Sequence, residues 1–464
     1  MSRLKKKKIG RTLKMEIIKK EKSALNGFIE KIDWILIATV IFLLGLGFLG
    51  IYSATIRYGN AEKYLATQLA AIGLGGCVLI VFFALNYQVF KRIPWFTYGI
   101  AFFLLISVLI FGNVVRGTKG WFYLGAFSFQ PVEIAKIFYI LSLAAFLTAF
   151  KRQTKDLSTL LSALGLLFGQ VVLVLLQPDF GSSLVFFPIT IALLFVFGAE
   201  LMYILAIILF GTITMCLPLF ATFFRLQPEL LAKSELIKFF VAAANGANQL
   251  LIVLGVVLGL IFLFWWVSRQ LKTRISIIFP IVLSLLIVFG SFASFGVQKA
   301  IKPYQQKRLI VFLNPSIDPL GSGYNIIQSK IAIGSGGALG KGLFSGTQSK
   351  LGFLPEQHTD FIFSVLGEEL GFFITLFALF AYFLIVWRAL LIARDARDIF
   401  GSLVAVGIAT MFAFYGIINM GMVMGMMPCT GLPLSFISYG GSNIVSSLCA
   451  IGLLLSIHIR RHTH

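Results

Sequence analysis

Charge is what this 464-residue chain has least of. Only 12% of its residues are charged, against about 25% in a soluble globular domain. Asp and Glu together number 18, and the composition is 58% hydrophobic. So few polar side chains cannot cover the surface of a soluble fold, which excludes that class. Cysteine is scarce as well. Cys77, Cys216, Cys429 and Cys449 form no C-x-x-C pair, which excludes a disulfide framework and a thiolate zinc site. A nucleotide loop is also lacking. Around Lys341, the G-x-x-x-x-G-K-[ST] pattern would need Gly and Ser or Thr where the chain has Ser335 and Gly342. The G-x-G-x-x-G pattern fails at Leu339, and no strand precedes the segment.

What the chain has in abundance is long apolar runs, and its mean hydropathy is +0.94. Twelve runs reach membrane-spanning length, the first at 34–54 and the last at 435–457. About 20 apolar residues suffice for a span. The expected class is therefore an all-α polytopic membrane protein of about twelve helices. Residues 1–33 form a basic head, with eleven Lys and Arg against Glu16, Glu21, Glu30 and Asp33. Such a cluster suits anionic lipid headgroups on the cytoplasmic side better than nucleic acid. The run from Trp34 to Ala54 is too long for a signal-peptide core and reads as an uncleaved anchor. Basic loops recur at Lys91 and Arg92, at Lys151, Arg152 and Lys155, at 269–274, at 388–397 and at Arg460 and Arg461. The positive-inside rule puts these loops and both termini in the cytoplasm, and the large loop 298–360 outside. Residues 34–464 then form one membrane domain. Within 201–267 two spans flank a connector that reads as an amphipathic surface segment.

The polar residues concentrate in a few places. Lys302, Lys307 and Arg308 open the outer loop, and Asp318 follows in a turn bounded by Pro319, Gly321 and Gly323. Residues 324–333 have helical spacing and read as a short helix lying in the membrane interface, with Lys330 on it. The glycines from Gly334 to Gly346, around Lys341, would let the backbone approach a ligand closely. A carboxylate beside cations at the outer face suits a lipid-linked pyrophosphate. The cations neutralise the leaving group and the carboxylate takes a proton from an attacking hydroxyl. A merely solvated loop is the plainer alternative.

Glu356, His358 and Asp360 stand just before the next span. They could support a divalent cation, although their spacing fits no metal motif. Glu368 and Glu369 fall about 10–12 Å into that span, where carboxylates face a cavity or a partner. In the fourth span Glu133 and Lys136 share a helix face and either neutralise each other or line a cavity. Arg116, Lys119 and Trp121 make a cationic and aromatic patch before it. Asp179, in QPDFG at 177–181, reads as a helix N-cap.

Five of these stretches together resemble the RodA/FtsW/SpoVE (SEDS) family: PVEIAK at 131–136, QPDFGSS at 177–183, DPLGSGYNIIQSKIAIGSGG at 318–337, GKGLFSGTQSKLGFLPEQHTDFIFSVLGEELG at 340–371, and GLPLSFISYGGS at 431–442. The resemblance, closer to the elongation branch, implies a peptidoglycan glycosyltransferase that polymerises lipid II at the outer face of the inner membrane. It implies Asp318 as the essential carboxylate and Glu133 with Lys136 as the intramembrane pair. Lys302, Lys307, Arg308, Lys330, Lys341, Arg116 and Lys119 are the expected substrate cations. His358, Asp360, Glu368 and Glu369 are expected to support the site. No cofactor follows with certainty, although a magnesium or manganese ion is compatible with the pyrophosphate. A class B penicillin-binding transpeptidase and rod-complex proteins such as MreC and MreD are the implied partners. The family core has ten spans, so the helices within 201–267 read as an inserted pair. A lipid II flippase is the competing reading.

Overall fold

The computed structural model describes residues 32–462 except 116, 126, 150–156, 228–230, 233, 244–246, 272–276, 301–305, 307, 309, 312–313 and 316–320. Asp318, Lys302, Lys307 and Arg116 therefore lie outside the described residues.

Among the described residues, twelve long apolar helices form a bundle. They are α1 (Trp34–Thr55), α2 (Ala61–Ala84), α3 (Pro94–Phe111), α4 (Pro131–Ala149), α5 (Leu157–Leu176), α6 (Phe180–Phe197), α7 (Leu201–Arg225), α8 (Ala247–Gln270), α9 (Ile278–Ala300), then α11 (Ile362–Arg394), α12 (Ile399–Val423) and α13 (Gly441–Ile459). A further helix, α10 (Ser322–Gly336), lies between α9 and α11. The starts of several helices are written in the sequence. Pro stands at the first position of α3 and α4, where its missing N–H costs nothing. Asp33, Asp179 and Asp398 cap α1, α6 and α12 by accepting backbone amides of Leu36, Ser182 and Gly401.

The centre of the bundle is α13, with 94% of its apolar window buried, whereas α8 at the rim has 11% buried. Small residues set the close crossings. A Cβ at Gly452 of α13 would lie 2.6 Å from the Leu79 carbonyl of α2, and one at Gly75 of α2 would meet the Leu448 side chain. At the end carrying the N-terminus of α1, Asp33 also receives the Arg388 guanidinium of α11 through Nε at 2.8 Å and Nη2 at 2.6 Å. The stretch 201–267 holds α7, the nine-residue helix Glu235–Ala243 and most of α8. The short helix leaves Leu236, Phe239 and Phe240 exposed, as a surface amphipathic segment does.

Two features differ from the sequence expectation. Three short strands, β1 (Asn113–Val115), β2 (Thr118–Leu124) and β3 (Phe127–Phe129), form an antiparallel meander. Its Lys119 amide donates to the Gln177 carbonyl, so the meander covers the start of α6. The second difference is α11, which is broken at Gly371 (φ 76°, ψ −173°). Glu368 and Glu369 thus close a short first segment rather than standing inside a continuous span.

The glycine-rich loop fills that break. Lys341 and Gly342 amides donate to the Glu368 and Glu369 carbonyls, each at 3.0 Å, and the Phe372 amide donates to the Gly337 carbonyl at 2.9 Å. Gly336 and Gly340 bring the backbone close to α11. A Cβ at Gly340 (φ 83°) would lie 2.2 Å from the Glu369 carbonyl oxygen. Gly340→Ala is therefore expected to destabilise the fold by about 3 kcal/mol, combining overpacking with a left-handed backbone. Thermal unfolding in detergent checks this, and an unchanged midpoint contradicts it.

Candidate active site at the polar end of the bundle

The helix starts that the motifs mark meet at one end. Gln130, just before α4, donates its amide to Ser442 Oγ of α13 at 2.7 Å and its side-chain Nε2 to Asp179 Oδ2 at 2.9 Å. Asp179 Oδ1 accepts the Ser182 amide at 3.0 Å. Three helix N-termini, those of α4, α6 and α13, are tied together by these bonds. Each presents the positive end of its dipole to the same region, which favours an anion there. Burial pushes the Asp179 carboxyl above its ordinary range, and the bonds from Ser182 oppose that shift.

One turn into α4 lies the intramembrane pair. Lys136 Nζ is 2.6 Å from Glu133 Oε1, and both side chains are buried. Lys136 also donates to the Tyr415 hydroxyl of α12. Tyr415 donates in turn to Glu133 Oε2 at 3.1 Å, and Asn443 Nδ2 of α13 donates to the same oxygen at 3.2 Å. The pair is therefore a four-residue network spanning three helices. Tyr415 and Asn443 are missed by the motif reading. Their signal is weak: single polar residues in apolar helices, which face the interior because lipid would leave them unpaired.

A second group of contacts joins the loops 355–361 and 424–440. Asn419 Nδ2 donates to the Asp360 and Leu432 carbonyls at 3.1 and 2.8 Å. Ser438 Oγ donates to the Thr359 carbonyl at 2.6 Å. The His358 ring lies 5.2 Å from Tyr64 and 5.6 Å from Tyr439, edge-on to both. A Cβ at Gly181 would sit 2.4 Å from the Thr430 carbonyl oxygen, so this loop rests directly on the start of α6. The Cys429 thiol is pushed up to about 12 by burial and by the Asp360 charge, with Arg308 pulling the other way.

The expected interface helix around Lys330 forms as α10, but it is docked rather than lying free. Its Ser329 Oγ donates to the Val423 carbonyl at 2.6 Å and pairs with Ser364 Oγ at 2.7 Å. Lys330 crosses over Gly425, where a Cβ would lie 2.6 Å from its Nζ. That puts its charge beside the 424–440 loop.

Other expected substrate cations have structural partners. Lys341 Nζ is 2.9 Å from Glu368 Oε1. Lys119 Nζ donates to the Ile110 carbonyl at the end of α3. Glu368 also accepts the amides of Thr347 and Gln348 at 2.7 and 3.0 Å. Glu369 accepts the Ser53 hydroxyl of α1 at 2.5 Å and the Phe344 amide at 3.1 Å. The two glutamates therefore pin the glycine-rich loop to α1 and α11. Among the described residues no three His, Cys, Asp or Glu side chains converge as a cation site. Glu356, His358 and Asp360 do not make one together.

Fold and site define a polytopic helical membrane protein whose polar end is built from interlocked helix starts suited to an anionic substrate. The chain matches the profile of the FtsW, RodA and SpoVE cell cycle proteins over residues 33–233 and 229–463, and it belongs to that family. It is 36% identical to the peptidoglycan glycosyltransferase RodA of Treponema pallidum over 93% of this chain and 99% of that one. It is 33% identical to the peptidoglycan glycosyltransferase MrdB of Escherichia coli K12 over 89% and 90%. Among solved structures, a chain from a peptidoglycan synthase complex that coordinates polymerization and crosslinking superposes with a TM-score of 0.61. It has 27% identity and covers 93% of this chain and 99% of that one.

Proposed function

We propose that this chain is a peptidoglycan glycosyltransferase that polymerises lipid II, with Asp318 as its general base. The observation that carries the reading is the meeting of three helix N-termini at one end, tied by Gln130, Asp179 and Ser442. Three positive helix ends favour a pyrophosphate. The segment bearing Asp318 leads into α10, which begins at Ser322 and docks against α11 and α12 beside that end. Lys302, Lys307, Arg308 and Lys330 supply counter-charge, while Lys341 and Lys119 shape the walls. Asp318 removes the proton from the acceptor sugar hydroxyl. The oxygen attacks the anomeric carbon of the donor, the bond to the pyrophosphate oxygen breaks, and polyprenyl pyrophosphate leaves. One displacement inverts an α-linked donor into a β-linked glycan, so a single base suffices.

The bundle end opposite the site carries Lys91, Arg92, Arg394, Arg397, Arg460 and Arg461. The positive-inside rule then orients it toward the cytoplasm, with both termini there and the site outside the inner membrane. The protein acts with a class B penicillin-binding transpeptidase and with rod-complex proteins such as MreC and MreD. Purified protein in detergent, given labelled lipid II, is expected to yield glycan polymer. Detergent offers no second leaflet, so an absence of polymer together with lipid II translocation in vesicles would favour a flippase and overturn the reading.

A further inference from the structure

The end of the bundle opposite the site holds a cleft of about 580 Å³, lined by Lys91, Thr148, Arg394, Arg397, Asp398 and Ser402 among others. It lies at the N-terminus of α12, a helix of 25 residues. The one carboxylate in that lining is already engaged. Asp398 Oδ1 accepts the Tyr87 hydroxyl at 2.7 Å and the Gly401 amide at 3.3 Å, and Lys91 Nζ stands 3.9 Å from Oδ2. Burial and the neighbouring Asp398 charge push the Tyr87 hydroxyl above its ordinary value, so Tyr87 stays neutral and keeps donating. Among the described residues, Arg394 donates from Nε to Asp395 Oδ1 at 3.0 Å. Arg397 is exposed and makes no ion pair among the described residues.

Lys91, Arg394 and Arg397 therefore line a cleft in which Asp398 is engaged by Tyr87, Gly401 and Lys91 and the adjoining Asp395 by Arg394, beside a helix N-terminus and the hydroxyls of Thr148 and Ser402. We infer that this cleft binds a phosphate-bearing anion. The fork of a guanidinium matches phosphate oxygens in pairs, and Arg394 and Arg397 both line the cleft. The phosphate has two possible sources, the headgroup of an anionic phospholipid or a soluble phosphate compound. The cleft lies far along the bundle from the lipid II site and shares no residue with it.

The test uses the full-length purified protein and the variant Arg394→Gln/Arg397→Gln, with Arg269→Gln as a control cation away from the cleft. Native mass spectrometry measures retention of phosphatidylglycerol against phosphatidylcholine, and thermal shift measures inorganic phosphate and pyrophosphate. The double variant is expected to weaken the anion by at least about tenfold, with Arg269→Gln unchanged. A phosphatidylglycerol effect without a phosphate shift assigns a lipid headgroup, and a phosphate shift in wild type alone assigns a soluble ligand. Equal behaviour of wild type and double variant in both arms overturns the site. So does an equal loss in Arg269→Gln, which would mean diffuse surface attraction only.

Discussion

Asp318→Ala is expected to lower lipid II polymerisation by about 10²–10⁴-fold, the range a positioned general base contributes. The loss should fall on turnover, because the cations and helix N-termini proposed to hold the pyrophosphate remain. Lipid II retention is therefore expected to be close to wild type, which separates a missing base from a missing binding site. Asp318→Asn keeps the shape and one acceptor oxygen but cannot take the proton, so it should fail nearly as badly. The unfolding midpoint should stay within about a degree or two of wild type, as expected of a residue that serves chemistry rather than packing. Normal polymer from either variant would sink the assignment. Polymer lost together with lipid II binding would instead make Asp318 a substrate-holding residue.

The general architecture is legible because membrane spans announce themselves one at a time. Twelve apolar runs match the twelve long helices. The break QPD is where α5 ends at Leu176 and α6 starts at Phe180, with Asp179 capping as its residue type suggests. What the sequence hides is pairing. Thr118–Leu124 and Phe127–Phe129 alternate over too few residues to stand out from a loop, so the meander appears only when Phe122 is seen opposite Phe129. The break at Gly371 is hidden for the same reason. A glycine in an apolar helix looks tolerable until another segment is known to supply the missing hydrogen bonds. Gly337 to Gly342 does so here. Glu368 and Glu369 are then intelligible as carboxylates that accept loop amides, a role that no spacing rule distinguishes from catalysis.

Lys136→Ala is expected to cost about 3–5 kcal/mol of stability, the usual result of removing one partner from a buried ion pair. Glu133 would keep its charge at 3% exposure, with only the Tyr415 hydroxyl and Asn443 amide as donors. Removing both charges should behave differently. Lys136→Met with Glu133→Gln fills the same volume, keeps an acceptor for Tyr415 and Asn443, and leaves no buried ion. Its unfolding midpoint in detergent should return most of the way to wild type. Equal destabilisation of the single and double variants would show that packing, not charge, holds this position. The polymerisation rate of the double variant then decides the role of the pair. If stability and rate recover together, the network only braces α4 against α12 and α13. If stability recovers while the rate stays low, the charges act on the site itself. The short path from Lys136 along α4 to Gln130, and from there to Asp179 and Ser442, makes the second outcome a question of field rather than of folding.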